Sequence, residues 1–468
     1  MSTVWAVARQ MIAEGIRMKI ALVFVLLIGV VVLGLPFSIR GDSSVTGAVQ
    51  AFMSYAFSAT GVLLGMLTIF MSRSLSDELV NHQILMVMTK PVPRWQYILG
   101  KWLGITTLNF AFLLFSAVSI YGMVYYIKAS HDPIDPRFDM ATLVNEVLVA
   151  RHGTMPRVPD FTEPADREFQ QNLEDGLYDS IPNFNAAREK ASLAKKHEAR
   201  WRIVEPFGIR VFEYDRVLCD RSKDHEVQLR YRTNVSYYPP DEIFRAWWSF
   251  GDAMKGASVY DIPTRHVIDR NHVIRFPADA MAPDQTLKVT FYNQNTYPGE
   301  PVFRNIIEFR AADGPELLFV VGSFGANMVR LITLMMCKLM FLAAVAILMT
   351  TAFSFPVACL TSFTVYVLAG ARAFIAESLE FAGDAHAGIF DSAKEFFLHV
   401  FGLMFNGLQW AVPDFARYDA VETFVAGRNV SLVWVLQAVG DLALLKTMLV
   451  LGLAMLLFHR REVAEISL

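Results

Sequence analysis

The sequence predicts a polytopic α-helical membrane protein, with six transmembrane helices and a large extracytoplasmic α+β domain that contains a β-sandwich. Three observations predict this class. Long uncharged runs occur in both end regions, the central region is charged and rich in proline, and part of that region alternates strictly between apolar and polar residues. Hydrophobic residues make up 54% of the 468 residues and charged residues only 19%, as expected of a chain that is largely membrane-embedded.

The first membrane half, residues 1–127, contains three uncharged runs long enough to cross a bilayer. They comprise 20 residues between Lys19 and Arg40, 30 between Asp42 and Arg73, and 26 between Lys101 and Lys128. About 20 apolar residues, at roughly 1.5 Å each, span the hydrocarbon core. A buried helix of a soluble protein would be shorter and would carry a polar stripe. Three spanning helices are therefore expected before residue 128.

The N-terminal segment has two interpretations, because Arg9, Arg17 and Lys19 precede an apolar run as they would in a signal peptide. The run ends in residues 34–37, Gly-Leu-Pro-Phe, rather than in a small-x-small cleavage site, and further spans follow at once. We interpret residues 1–19 as an uncleaved cytoplasmic or interfacial helix, whose basic residues place the N-terminus inside.

Helix counting then assigns the sides of the membrane. The second helix returns to the inside near Arg73, and the basic segment 73–101 also lies inside. The third helix exits, which places residues 128–322 outside. A segment of that length is translocated regardless of its own charge, so the count decides its location.

The segment 128–322 reads as a domain with a helical part followed by a β part. Residues 185–201 are rich in Ala, Lys, Glu and Arg, as in a solvated helix, and residues 226–237 alternate with a period of two. Further strand candidates lie at 267–276, 287–291, 301–309 and 317–321. At least five strands without interleaved helices favour a β-sandwich of jelly-roll or immunoglobulin-like type.

The second membrane half, residues 323–468, contains 33 uncharged residues between Lys338 and Arg372. That is too many for one ordinary helix, and Pro356 lies in the middle. We therefore predict two helices, at 329–352 and 356–373, joined by a short inner turn.

A last span is predicted at 439–458, after an extracytoplasmic helical segment at 374–430. Arg460 and Arg461 follow this span and place the C-terminus inside. Six spans with both termini in the cytoplasm give a consistent topology.

The charged segment 73–101 carries the most specific pattern. It contains Glu78-Leu79-Val80-Asn81-His82-Gln83-Ile84, then Lys90-Pro91-Val92-Pro93-Arg94-Trp95, and closes on Leu99-Gly100-Lys101. This pattern resembles the cytoplasmic loop of ABC-2 type transporter permeases, in the branch often labelled multicopper-enzyme maturation. Similar features recur at 351–356, 412–415 and 458–462, so the resemblance covers both membrane halves and leaves out residues 128–322.

The chain departs from the usual pattern of that family at two places. Val80 stands where a second acid is common, and His82-Gln83 stand where a basic residue and threonine are common. These positions bear on which ATPase would be recognised.

The resemblance implies the permease subunit of an ABC-2 type transporter in a bacterial cytoplasmic (inner) membrane. A separate cytoplasmic ABC ATPase would bind the ATP and drive export or envelope-directed work, so the chain itself would need no cofactor. Two permeases, as a homodimer or a heterodimer, would assemble with two ATPases. The residues implied in coupling to the ATPase are Asp77, Glu78, His82, Lys90, Pro91, Arg94, Gly100 and Lys101.

The same segment can be understood without the family. Leu75, Leu79, Leu85 and Met88 can form the apolar stripe of a short surface helix, which Pro91 must end. The basic residues that follow can contact lipid phosphates or carboxylates of a partner, and the glycine permits close helix packing. The alternative is an ordinary basic inner loop that only anchors the protein.

Absent motifs exclude several classes of function. The sequence contains no Gly-x-x-x-x-Gly-Lys-Ser/Thr loop, so any ATP site belongs to another polypeptide. It also lacks a nucleophile elbow and a His-Glu-x-x-His pair, which leaves only an enzyme with an unfamiliar site in the outer domain. The second reading is a membrane-anchored scaffold or sensor whose outer domain binds an envelope protein. We expect no nucleic-acid partner.

The other candidate sites are weaker. Lys338, Asp441 and Lys446 are ionisable residues in or near predicted spans, where such residues are either functional or reach the interface with their side chains. His266 and His272 lie near a predicted turn, and we interpret them as surface histidines rather than as a metal site.

Overall fold

The computed structural model describes residues 2–17, 19–38, 44–81, 93–130, 136–178, 185–219, 226–239, 241–293, 305–310, 314–384 and 413–460. The chain divides into two compact units. The helical unit comprises Met1–Ala150 and Ser323–Leu468, and the sheet unit comprises Arg151–Gly322.

The described helices are α1 (Ser2–Arg17), α2 (Ile20–Ser38), α3 (Val45–Met71), α4 (Arg73–Val80), α5 (Arg94–Ser130), α6 (Pro136–Thr142), α7 (Thr162–Glu174), α8 (Ala186–Trp201), α9 (Phe324–Ala352), α10 (Phe355–Asp384), α11 (Val421–Val425), α12 (Leu432–Ala438) and α13 (Thr447–Arg460). Two π-helical turns, Leu143–Val147 and Val439–Lys446, follow α6 and α12. The second of these joins α12 and α13 into one continuous helical stretch.

Five of the described helical stretches are long and apolar enough to cross a membrane. They are Val45–Val80, Arg94–Ser130, Phe324–Ala352, Phe355–Arg372 and Leu432–Arg460. Thr3–Arg17 and Ile20–Pro36 meet at a bend of 66° and would form a sixth span if the pair is counted as one. The described residues therefore contain several membrane-spanning helices, five or six in number by length and composition.

The predicted break between two spans in the second half occurs at residues 353–354. Phe353 is extended, with φ −125° and ψ 166°, and ends α9. Pro356 lies in the first turn of α10, where a missing N–H costs no intrahelical hydrogen bond.

Residues 413–430, which belong to the extracytoplasmic helical segment predicted at 374–430, contribute side chains to the core of the helical unit. Phe415 and Phe424 are buried, and the Phe424 ring meets Phe57 edge-on at a centroid distance of 5.5 Å. Only short helical turns form here. The side chains of 373–412 lie outside the described residues.

The helical unit extends beyond residue 127, the predicted end of the first membrane half. Asp139 accepts hydrogen bonds from the backbone N–H groups of Val45 (2.6 Å) and Thr46 (3.1 Å), and so caps α3. Leu143 and Val147 are buried in the same core. These contacts draw residues 136–150 into the helical unit.

The sheet unit contains strands β1 (Val149–Thr154), β2 (Ile203–Val204), β3 (Ile209–Tyr214), β4 (Glu226–Tyr231), β5 (Thr233–Val235), β6 (Ile243–Phe250), β7 (Tyr260–Val267), β8 (His272–Pro277), β9 (Leu287–Tyr292), β10 (Ile307–Phe309) and β11 (Glu316–Ser323). They form sheets in the orders β1-β11-β4-β8, β2-β10-β5 and β3-β9-β6-β7. Strand β4 pairs antiparallel with β8 and β11, and β6 pairs antiparallel with β7 and β9.

One aromatic core serves these sheets. Trp248 of β6 is fully buried, and its ring lies 4.7 Å from those of Tyr231 on β4 and Phe291 on β9. Aromatic pairs at such distances add stability beyond their buried area. The predicted sheet-rich region is therefore present as antiparallel sheets around a common core.

The alternating segment 226–237 is not one strand, as its pattern predicts, but two strands that belong to different sheets. The chain changes sheets at Arg232, whose Nε donates to Asp269 at 3.1 Å. The pattern also predicts Gln228 on the solvent side. Gln228 is instead buried and accepts a hydrogen bond from Arg151 at 2.5 Å, because a polar side chain can occupy an inner position when a partner satisfies it.

The segment 267–276 is not one strand, as its pattern predicts, because a turn occupies its first half. Strand β7 ends at Val267 and β8 begins at His272. Asp269 has a φ of 61° between them, a left-handed conformation that Asp adopts more readily than most residues.

The helix predicted at 185–201 is α8, and Asn185 caps its first turn.

Candidate functional site

Two glycines in the first turns of α5 allow α1 to approach closely. A Cβ atom on Gly100 would lie 2.7 Å from the Cβ of Val7. A Cβ atom on Gly104 would lie 2.6 Å from the Cβ of Met11 and 2.9 Å from the carbonyl oxygen of Ala8. The spacing of four residues is the small-xxx-small arrangement that lets two helix backbones meet. The sequence pattern includes Gly100 but gives no signal at Gly104.

Beside this contact lies a buried polar cluster that we call the ionic junction, formed by Glu14 of α1, Ser74 and Glu78 of α4, and Tyr97 and Lys101 of α5. The Lys101 side chain is only 1% exposed. Its Nζ lies 2.7 Å from Oε1 of Glu78 and donates to Oγ of Ser74 at 3.0 Å. The same ammonium lies 3.6 Å from Oε2 of Glu14.

Hydrogen bonds complete the ionic junction. The Tyr97 hydroxyl donates to the second oxygen of Glu78, and Ser74 Oγ donates to Glu14 at 2.6 Å. Gln10 of α1 also donates to Glu78, at 3.4 Å. A buried ion pair is favourable only when its remaining polar atoms are satisfied in this way. The junction therefore ties three helices together at one point.

The structure thus divides the residues that the sequence pattern grouped together. Glu78 and Lys101 face each other in the interior rather than a partner. Asp77 lies on the surface and pairs with Arg73 at 3.3 Å, with both side chains about half exposed. Exposed pairs of this kind contribute little stability and leave the charges accessible.

Arg94, another predicted coupling residue, contacts the end of the last span. Its Nη1 donates to the backbone carbonyls of His459 at 2.7 Å and Phe458 at 3.3 Å, at the end of α13. A cation is favourable there because the last carbonyls of a helix are negative. The predicted coupling residues His82, Lys90 and Pro91 lie outside the described residues, as do Leu85 and Met88.

The three charges predicted within or near spans all have partners in the helical unit. Lys338 lies 3.7 Å from Asp419, and Asp441 accepts from Lys446 at 2.9 Å and from the Tyr418 hydroxyl at 3.0 Å. Asp441 and Lys446 lie in the π-helical turn Val439–Lys446, where a five-residue spacing brings them together.

These pairs attach the packed segment 413–430 to α9 and to the last span. The sequence does not indicate Tyr418 and Asp419 as partners, since they follow a stretch that carries no membrane-helix signal. Both can be found only once the fold places them against Lys338 and Asp441.

His266 and His272 stack in the sheet unit, with ring centroids 4.2 Å apart. The Tyr231 hydroxyl bonds to Nδ1 of His266, and His272 Nε2 lies 2.6 Å from the carbonyl oxygen of Val267. Among the described residues no group of three metal-binding side chains occurs. Burial, and secondarily His272, lowers the pKa of His266 from 6.5 to about 4.

This shift predicts a loss of stability in acid. Because the unfolded chain binds the proton more tightly, the sheet unit should lose stability as the pH falls from 6.5 towards 4. The loss should be about 1–2 kcal/mol, below the full conversion at about 1.4 kcal/mol per pKa unit, because solvent screens a partly exposed group. Pulse proteolysis of the full chain in urea, scored by cleavage within 151–322, measures this. His266→Gln should flatten the profile between these pH values, and an unchanged slope would contradict the prediction.

Comparison with known proteins adds one finding. Residues 5–148 match the sequence model of a family described as "ABC-2 family transporter protein". The match covers the ionic junction and the α1–α5 contact. No curated protein matches the chain, and no solved structure matches it.

Proposed function

We propose that this chain is the membrane-spanning permease subunit of an ABC-2 type transporter, driven by a separate cytoplasmic ABC ATPase. The family match over residues 5–148 supports the class. The observation that carries the mechanism is the buried pair of Lys101 and Glu78, because it joins both ends of the segment 73–101 to each other. A partner that binds this segment can then move the attached helices as one body.

The transmission path follows from chain continuity. α4 continues α3 in the stretch Val45–Val80, so a force on α4 acts directly on α3. Through Lys101 the same force acts on α5, and through Glu14 it acts on α1. Packed side chains with satisfied polar contacts transmit such a displacement because the interior is close-packed. The ATPase would supply ATP binding and hydrolysis, and this chain would supply the moving membrane part.

The finer features belong to the same proposal. Six spans with both termini in the cytoplasm would place the segment 73–101 inside and residues 128–322 outside, with the β-sheets arranged as a sandwich. Two copies, or one copy with a related permease, would form the membrane part in a bacterial inner membrane. The motifs quoted above favour the multicopper-enzyme-maturation branch, and the outer domain would meet substrate or an envelope protein.

The sharpest test of ATPase docking uses Asp77, since it is exposed while Glu78 is not. We expect an ABC ATPase gene beside this one, and we expect Asp77→Arg to reduce co-purification of that ATPase at least tenfold. The stability of the permease should change by less than about 1 kcal/mol, because the lost ion pair is exposed. The double variant Arg73→Asp with Asp77→Arg restores the pair with reversed polarity and should not restore docking.

A matched control is Glu163→Arg, which breaks the exposed Glu163–Arg167 pair in the sheet unit. It should leave ATPase capture unchanged. Full capture by Asp77→Arg would argue against docking at α4. A chain that never captures an ATPase would instead support the reading as a membrane-anchored scaffold.

A further inference from the structure

The outward face of α1 combines apolar and cationic side chains. Trp5 is 55% exposed and Ile16 is 60% exposed. Arg9 is exposed between them, since the three positions lie within about 40° around a helix that turns roughly 100° per residue. Arg17 lies on the same exposed side. Such a face is typical of helices that lie in a membrane–water interface.

Chain continuity places α1 at the membrane surface. α2 begins at Ile20, three positions after α1 ends at Arg17, and it is uncharged throughout. Its outward residues Leu22, Leu26 and Val30 are 59%, 60% and 68% exposed, as lipid-facing side chains are. The 66° bend between the two helices turns α1 away from the direction of α2.

The cations of this face are available for a ligand. In the described part of the chain the side chains of Arg9, Arg17 and Lys19 have no hydrogen-bond or ion-pair partner, unlike Arg94 or Lys101. The two arginines are eight residues apart, about 12 Å along the helix at 1.5 Å per residue. They can therefore meet separate headgroups.

An open groove of about 680 Å³ runs along the same face. It is lined by Trp5, Arg9, Gln10, Glu14, Arg17 and Glu78, together with two alanines. The carboxylates of Glu14 and Glu78 are engaged by Ser74 and Lys101. The guanidinium groups are thus the charges in this groove that lack a partner, and an anionic ligand complements them.

From the membrane position and the unpaired cations we propose that α1 binds the phosphate groups of anionic phospholipids, with Arg9 and Arg17 as ligands and with Trp5 and Ile16 inserted among the acyl chains. Each basic residue near an anionic bilayer surface strengthens binding, so two of them give a clear preference over zwitterionic lipid. This inference requires only that the helical unit is membrane-embedded and does not depend on the ATPase.

The test compares the full-length protein in mixed micelles that contain phosphatidylglycerol or phosphatidylcholine. Thermal stabilisation is measured as a function of lipid mole fraction. The wild-type protein should be stabilised preferentially by phosphatidylglycerol. In Arg9→Gln with Arg17→Gln, the fraction needed for half of that stabilisation should rise at least tenfold. The matched control is Arg188→Gln with Arg200→Gln, which removes two exposed arginines from α8.

Each remaining outcome overturns the assignment. An unchanged preference in the α1 variant would exclude this face as the site. Equal stabilisation by inorganic phosphate would show an anion site rather than a lipid site. Loss of ATPase capture with the lipid preference intact would show that the face docks the ATPase. If the double variant folds poorly, a second measurement tests insertion independently. Brominated phosphatidylglycerol should quench the fluorescence of the wild-type protein more than that of Trp5→Phe. Equal quenching of the two proteins would refute insertion of Trp5.

Discussion

Substituting methionine for Lys101 should lower the free energy of unfolding of the helical unit by about 3–5 kcal/mol, the range found when one partner of a buried ion pair is removed. Glu78 is 4% exposed and would lose the ammonium group that neutralises its carboxylate in the interior. Glu14 would lose the same ammonium at 3.6 Å. Denaturation of the purified protein in mixed micelles with increasing dodecyl sulfate measures the loss.

The double variant Glu78→Gln with Lys101→Met separates charge from packing. It should lose less stability than Lys101→Met alone, because no buried charge remains unpaired at that position. Arg73→Gln is the matched control, since it breaks an exposed pair and should cost less than about 1 kcal/mol. Equal losses for Lys101→Met and Arg73→Gln would refute the buried junction.

The second large effect is expected at Gly104, where alanine should push α1 away from α5. The new methyl group would meet the Met11 Cβ at 2.6 Å and the backbone carbonyl of Ala8 at 2.9 Å, and a backbone atom cannot turn aside as a side-chain end can. Overpacking of this kind costs roughly 1–3 kcal/mol. We also expect ATPase-driven activity to fall, since α1 would no longer follow the motion of α4.

Gly122 provides the control within the same helix. A Cβ atom there would meet nothing within 4 Å. Gly122→Ala should therefore be neutral or stabilise the helix by up to about 1 kcal/mol, which is the propensity difference between the two residues. If both alanine variants behave alike in thermal unfolding, the close approach of α1 and α5 is wrong.

The presence of several membrane-spanning helices can be predicted from the sequence because an uncharged run of sufficient length needs no tertiary contact to be recognised. An uncharged run of 30 residues is long enough to span a membrane. Pro356 interrupts a helix through its own backbone, so the break between two helices is predicted without knowledge of any neighbouring element. The alternating pattern correctly indicates β-strand structure but does not show where each strand begins and ends. The change of sheets at Arg232 depends on Asp269, which is 37 residues away.

The candidate site could be located but not interpreted from the sequence. Glu78 and Lys101 stand in a charged stretch, which normally indicates a solvated surface. Glu78 is buried because α4 continues α3 as one helical stretch, in which Glu78 lies three residues after the buried Leu75 on the same inward face. The resemblance to ABC-2 permeases implies that Glu78 couples to an ATPase, so reversal of its charge would be expected to weaken partner binding. The structure predicts that it would also damage the helical unit, so Asp77 is the better probe.

The two pairs around Lys338 and Asp441 show the same limit. The sequence identified the ionisable residues from their position in apolar runs. It gave no sign of Tyr418 and Asp419, because polar contacts between distant segments leave no periodic pattern. Such partners become visible only when tertiary packing is known.

The ionic junction also bears on how the protein is made. Its members Glu14, Ser74, Glu78, Tyr97 and Lys101 all lie in the first 101 residues. Chains acquire structure from the N-terminus as they leave the ribosome. The ammonium group of Lys101 can therefore find its carboxylates during membrane insertion, before the sheet-forming region has been translated, so early biogenesis of the N-terminal half does not have to wait for the rest of the polypeptide.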